Sequence, residues 1–293
     1  MQLLTTNTCY YNTIELAKNL LSHDYNKGII FHCYWNGDLN EKHYYSILSF
    51  YYFNIFLDTT KKHKIILWVE NNTPNNFNTK ISAFAEIRLF SLENETNDMF
   101  FKSICDNLQL KDHYKNNLSF YSDYVRYVLL YKYAGCWFDL DCLCLRSFDT
   151  LFYHYENSIC VYQWEKKDYP NGAIYISLTP HCEKFKKNIE YIMANNINFA
   201  FAGSDLKFNT PLELLVLPCS WFDAGWIENP ISTNLCDVFF EDNQTKYDFE
   251  TFLKGAFCFH WHNRWSKPVA NSSILKQLVD IMMDHMNLAD IKQ

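Results

Sequence analysis

Two aspartates one residue apart, Asp139 and Asp141, close the stretch Ser122-Asp123-x-x-Arg126-x-x-x-Leu130-x-x-x-Ala134-Gly135-Cys136-Trp137-Phe138-Asp139-Leu140-Asp141. On a strand, residues two apart point to the same side, so both carboxylates can face one ligand. Like charges that close repel, and a divalent cation relieves the repulsion. Such a cation is hard: it takes carboxylate oxygens and, from a ligand, phosphate oxygens. Upstream, Asp123 and Arg126 stand three apart on a helix and share one face, with Leu130 a turn later. Taken singly, a DxD is also what a solvated strand end looks like, and an Asp–Arg pair what a surface ion pair looks like. Their common register within one block favours a site over either.

Two further groups bear on the same chemistry. His260 and His262 lie on one side of a late apolar strand, where they could complete a metal shell or hold a diphosphate, or be surface or capping histidines. Tyr34 and Trp35 end an early strand. They suit stacking on a flat ring, and equally core packing.

The elements that must position these residues follow from the apolar spacing. Residues 13–22 have helical periodicity, and residues 29–35 form a compact apolar run closed by Asn36-Gly37, the signature of a buried strand and turn. Residues 44–57 read as a core-facing helix and residues 64–69 as a second strand, which together make the βαβ pattern of a parallel sheet. A Pro-containing loop at 71–78 and a short strand at 85–89 come next. Ser119 suits the cap of a helix to about residue 133, with Gly135 as its stop and a strand over 137–143. Strands at 161–163 and 173–177, helices at 181–195 and 211–216, a strand at 255–261 and a helix at 273–287 complete the reading. There is no repeat, no low-complexity linker and no break in composition. One domain spanning 1–293 is expected, with a core at about 28–145 and further elements over 146–293.

Composition limits the function. At 293 residues, with 48% apolar and 20% charged residues, the chain can bury a large core. A net charge of −7 without a Lys/Arg cluster argues against a nucleic-acid groove, and an anionic ligand would need a metal to reverse the local field. The 11 cysteines follow no disulfide or zinc spacing, so buried reduced thiols in a reducing compartment are expected. The first residues lack a basic, apolar leader, and no apolar run approaches the ~20 residues that cross a bilayer as a helix.

The Asp123–Asp141 block resembles the signature Ser-Asp-x-x-Arg-x-x-x-Leu-x-x-x-Gly-Gly-x-Tyr-x-Asp-x-Asp of DXD-containing sugar transferases. These are glycosyltransferase family 32, which includes initiation-specific α-1,6-mannosyltransferases, α-1,4-galactosyltransferases and capsular-polysaccharide transferases. It is similar, more distantly, to the glucosylating domain of large clostridial toxins. Ala134 departs from the first Gly of the pattern, and Trp137 from its Tyr, keeping an aromatic wall without the hydroxyl. Looser matches are Ile30-Phe31-His32-Cys33-Tyr34-Trp35-Asn36-Gly37, Leu67-Trp68-Val69-Glu70, Asn171-Gly172-Ala173 in a turn, and His260-Trp261-His262-Asn263-Arg264-Trp265-Ser266. The resemblance runs over roughly residues 28–266.

It implies an α/β GT-A fold, a Rossmann-like mixed sheet flanked by helices with metal and nucleotide at the carboxyl ends of strands. The implied activity is transfer of a hexosyl group, with retention, from a UDP-sugar or GDP-mannose to a hydroxyl of a glycan, lipid or protein, using Mn2+ or Mg2+. Asp123, Arg126 and Asp139 would be catalytic. His32, Tyr34, Trp35, Trp137, Asn171 and Gly172 would join those three in binding the donor, and Asp139, Asp141, His260 and His262 would hold the metal. Asp205, in a segment where the family has a loop lining the sugar pocket, is a weaker match. The expected location is the cytoplasm or the cytosolic face of a membrane. Two alternatives are a haloacid-dehalogenase-like phosphatase, whose nucleophile strand also carries DxD, and a non-catalytic sugar-nucleotide or carbohydrate-binding protein. Cys136-Trp137-Phe138 and Cys142 fit the phosphatase poorly, and the paired carboxylates argue against a pure binder.

Overall fold

The run Ile30–Trp35 alternates Phe31 and Cys33 with His32 and Tyr34, and both sets are buried, so this strand is covered on two faces. Lys64–Val69 does the same with Ile65, Leu67 and Val69 against Ile66 and Trp68. In the computed structural model, residues 2–3, 10–20, 23–70, 76–97, 118–164, 170–194 and 214–287 are described. Their strands are β1 (Gln2–Leu3), β2 (Ile30–Trp35), β3 (Lys64–Val69), β4 (Glu86–Leu89), β5 (Gly135–Phe138), β6 (Cys142–Cys144), β7 (Ile159–Gln163), β8 (Asn171–Ser177), β9 (Leu215–Pro218) and β10 (Cys258–His260).

Eight of them form one sheet in the order β1-β9-β7-β8-β5-β2-β3-β4, and β10 pairs with β6 in a separate two-stranded sheet. In the large sheet β8 runs antiparallel to both of its neighbours, and every other pairing is parallel. The chain builds outward from β2 through β3 to β4, then crosses back to lay β5 on the other side of β2. That reversal is a topological switch point, and it opens a crevice at the carboxyl ends of β2 and β5.

Helices cover both faces. Helix Glu41–Tyr51, capped by Asn40 with His43 closing a capping box, lays Ile47, Leu48 and Phe50 on the Phe31 side. The Phe50 ring stacks on Phe138 with centroids 3.8 Å apart. Ser46 and Ser49 on the same helix hold the small sheet: the Ser46 hydroxyl donates to Cys142 O at 2.7 Å, and Ser49 Oγ accepts from Cys144 N–H at 2.9 Å. Helices Leu118–Tyr133 and Glu183–Ala194 cover the opposite face, burying Val125, Val128, Leu129, Phe185 and Ile189 with Ile66, Trp68 and Trp137.

Several expectations shift. The helix expected over 44–57 starts at Glu41 and ends in a π-helical turn, Tyr52–Phe56. Helix Asn76–Ile81 takes part of the expected 71–78 loop. Ser119 lies inside helix Leu118–Tyr133 rather than at its cap, and the helix ends with Ala134 at φ 56° and Gly135 at φ 120°. A Cβ at Gly135 would stand 2.1 Å from Ile30 O, so only glycine lets β5 pack there. The helix expected over 211–216 is corrected: residues 211–213 lie outside the described residues, and Leu215–Pro218 is a buried strand between β1 and β7. A short apolar run such as Leu-Leu-Val-Leu has no period to separate strand from helix, and pairing decides. The strand expected over 255–261 is three residues long. The described cysteines form no disulfide, and all but Cys182 are buried. Among the described residues no helix is long and apolar enough to cross a membrane.

Candidate active site

The expected strand over 137–143 is broken at the motif. β5 ends at Phe138, Asp139-Leu140-Asp141 forms a turn closed by Cys142 N–H to Asp139 O at 3.1 Å, and β6 starts the other sheet. The turn leaves β5 when Asp139 N–H donates to Ala173 O of β8 at 2.8 Å. The two carboxylates therefore do not share a strand face. They reach one cleft of about 480 Å3 from a turn at the switch point, with Asp123, Arg126, Asn171, Gly172, His260 and His262 also on its wall.

One half of the site is built on Arg126, which helix Leu118–Tyr133 carries to the cleft floor. Its Nη2 donates to Asp123 Oδ1 at 2.7 Å and to Asp139 Oδ1 at 3.5 Å, and its guanidinium carbon lies 5.3 Å from the Trp137 ring centroid. Trp137 Nε1 donates to Asp139 Oδ1 at 2.6 Å. Burial lifts the Asp123 carboxyl to about 6, against the pull of Arg126 and with the push of Asp139. Burial raises Asp139 as well, with Arg126 opposing and Asp141 adding to the rise. Arg126 Nε is buried and has no hydrogen-bond partner among the described residues.

The other half is held by β10 and the loop after it. Asp141 Oδ2 accepts from Asn263 N–H at 2.7 Å and lies 3.2 Å from His260 Nε2. Burial would raise the Asp141 carboxyl, but His260 and the Asn263 amide outweigh it and hold it at about 2. His260 Nδ1 is 3.0 Å from Tyr162 Oη and 3.5 Å from Asp223 Oδ2, while His262 Nε2 meets Asp223 Oδ1 at 2.9 Å. Burial works against charge on His260, yet Asp141 and Asp223 raise its affinity for a proton well above the usual histidine range. His262 is lowered, first by burial and then by His260 beside it. Asp223, His260 and His262 lie close enough to share one cation, as do Asp141, Cys142 and His260.

The sequence-derived residues thus fall into three sets. Asp123, Arg126, Asp139, Asp141, His260, His262, Tyr34, Trp35, Asn171 and Gly172 meet in the cleft, although Asn171 and Gly172 begin β8 rather than forming a turn. His32 and Trp137 do not line the cleft but stand behind it. His32 is fully buried, with Nε2 2.9 Å from Ala134 O and Nδ1 accepting from Trp68 Nε1 at 3.1 Å, and Trp137 is fully buried with its N–H spent on Asp139. Asp205 lies outside the described residues. Asp223 was not foreseen. The signal was an aspartate among large apolar residues, Trp221-Phe222-Asp223-Ala224, which a core tolerates only with partners.

Residues 50–159 match the family model described as "Glycosyltransferase sugar-binding region containing DXD motif". No curated protein matches the chain in sequence. The fold is similar to that of mouse xyloside xylosyltransferase 1 in its apo form, with a TM-score of 0.53 and 10% identity over 83% of this chain and 100% of that one. It is also similar to the glycosyltransferase GlyE of Streptococcus pneumoniae TIGR4, with a TM-score of 0.51 and 11% identity over 91% of this chain and 64% of that one. The chain has the GT-A fold, and the DXD motif of the matched region lies on the turn between its two sheets.

Proposed function

We propose that the protein transfers a hexosyl group, with retention of configuration, from a nucleoside-diphosphate sugar to a hydroxyl of a glycan, lipid or protein, with Mn2+ or Mg2+ as cofactor. The observation that carries this reading is the convergence of two half-sites on one cleft: Arg126 between Asp123 and Asp139, and Asp141 beside His260 and His262. The second half-site fits a divalent cation, since carboxylate oxygen and imidazole nitrogen gather there and the buried charge needs a counter-charge. Asp141 would hold the cation with His260 or His262. When bound, the cation neutralises charge developing on the leaving diphosphate.

The chain's own groups supply the remainder. Arg126 brings a fixed positive charge to the donor without reorganisation, because burial and two carboxylates lock it in place. Asp123 and Asp139, when ionised, are acceptor-only groups suited to sugar and ribose hydroxyls. Tyr34 and Trp35 present aromatic surface at the end of β2 for a base. Asp123 and Asp139 are both engaged by Arg126 rather than free to attack, so a front-face displacement is more economical than a covalent intermediate. The fold likeness to transferases supports this reading over the phosphatase.

The test is a panel of UDP-sugars and GDP-mannose, with and without manganese. Thermal stabilisation together with slow metal-dependent donor hydrolysis is expected, and both are lost in Asp139→Asn/Asp141→Asn. An unaltered double variant would sink the site. Phosphate release from simple monoesters would favour the phosphatase, and donor binding with no turnover the binding protein.

A further inference from the structure

The loop after β10 carries a backbone that needs holding. His262 and Asn263 both adopt left-handed conformations, at φ 52° and 55°. A histidine is disfavoured there, more so than an asparagine, and such strain persists only where the surroundings fix it. On the cleft side the fixing groups are Asp223 and Asp141, as described. On the far side they are two consecutive residues of helix Glu41–Tyr51.

Lys42 is only 3% exposed. Its ammonium donates to the carbonyls of Arg264, Trp265 (3.5 Å) and Lys267 (2.6 Å), and it lies 3.9 Å from the centroid of the Phe240 ring. Among the described residues no carboxylate pairs with it. An ammonium has three N–H donors, and all three are used on one short loop. A buried cation without a counter-ion is unfavourable, so hydrophobic packing alone would be better served by methionine or leucine. The following residue, His43, is fully buried and stacks on Trp265 with centroids 4.4 Å apart and planes 14° apart. It also contacts Trp35 at 4.1 Å, and Trp35 lies 4.9 Å from Trp265. His43 Nδ1 accepts the Asn40 N–H at 2.9 Å, which fixes the neutral tautomer with hydrogen on Nε2.

We infer that Lys42 and His43 are positioning residues for donor binding: they latch loop 262–267 to the helix after β2, so that Trp265 joins Trp35 in the cleft wall and Asn263 N–H meets Asp141. Neither residue lines the cleft, so both act through the loop. The inference rests on the reading of this cleft as the donor site, and the experiment separates the two.

The full chain and its Lys42→Met and Lys42→Gln variants are compared by amide hydrogen exchange and by binding of UDP and GDP with manganese. Losing a charged donor to these carbonyls is expected to weaken binding of the preferred nucleotide about tenfold in Lys42→Met, with a smaller loss in Lys42→Gln. Exchange should rise over residues 262–267 and stay unchanged in β2 and β3, and donor KM should rise more than kcat falls. If Lys42→Met does not fold, Lys42→Gln carries the test. Unchanged exchange over 262–267, or faster exchange there with unchanged nucleotide affinity, overturns the positioning role. A wild-type chain that binds neither nucleotide overturns the donor-site reading instead, and the exchange arm then judges the latch by itself.

Discussion

Arg126 lies against the bare Cα of Gly172: a Cβ built there would stand 1.5 Å from Arg126 Nη1 and 2.5 Å from its Cζ. The first residues of β8 therefore act as the floor on which the guanidinium rests. Because β8 is antiparallel to its neighbours, its start is what meets the carboxyl ends of β2 and β5.

Gly172→Ala is expected to push Arg126 off Asp123 and Asp139. Arg126 is buried and cannot yield into solvent, so the displacement falls on the donor site. Donor turnover should drop at least about tenfold, as for a catalytic charge moved by an ångström, while the melting temperature changes little. Full turnover in Gly172→Ala would show that the position of Arg126 is not needed.

Asp123 gives a pH signature. Its carboxyl is raised to about 6, so between about 4 and 6 the folded state binds a proton that the unfolded state has released. Stability from this group therefore falls as pH rises through that window. Wild type minus Asp123→Asn should lose roughly 3 kcal/mol across it, measured as denaturant stability at pH 4 and pH 7. A difference that stays flat with pH would mean the carboxyl is ordinary in the folded state.

Asp223 should matter to the metal without touching the donor. It is fully buried and engages both His260 and His262. Asp223→Asn keeps the shape but changes which ring nitrogens carry hydrogen, and a loss of about 10- to 100-fold in manganese affinity is expected. Titration with Mn2+ followed by electron paramagnetic resonance checks it, and unchanged affinity would reduce Asp223 to a core residue.

Trp137→Phe tests the hydrogen bond behind the motif. An aromatic ring is kept, though a smaller one that also costs some packing, and Asp139 loses its 2.6 Å donor and is left with Arg126. Because a bond to the ionised form is removed, the Asp139 carboxyl should rise further, and kcat/KM should fall about tenfold at neutral pH. Equal kcat/KM in the two proteins would show that Arg126 alone orients Asp139.

Much of this was legible in the chain. Residues 64–69 read as a strand and are one, because Ile65, Ile66, Trp68 and Val69 are the β-branched and aromatic types that favour a short strand buried on both faces. The Asp123–Arg126 pair was legible for the same kind of reason, since helix geometry alone puts those residues on one face. What failed depended on contacts distant in sequence. The break after Phe138 is imposed by Ala173 of β8, and Asp223 reaches His260 and His262 only once the 3-10 turns Cys219–Trp221 and Ala224–Trp226 after β9 pack against β10. Lys42 carried no signal in the sequence, because a partner made of backbone carbonyls leaves no side-chain signature.

The DXD turn is also the seam between two sheets. Asp139 is tied to the large sheet through Ala173 and Trp137, whereas Asp141 leads into the small sheet and is tied to the loop after β10. The spacing of the two carboxylates is therefore a property of how the sheets dock, set by Ser46 and Ser49 on the helix that joins them. A substitution in that joint can retune the site while leaving every residue of the motif in place.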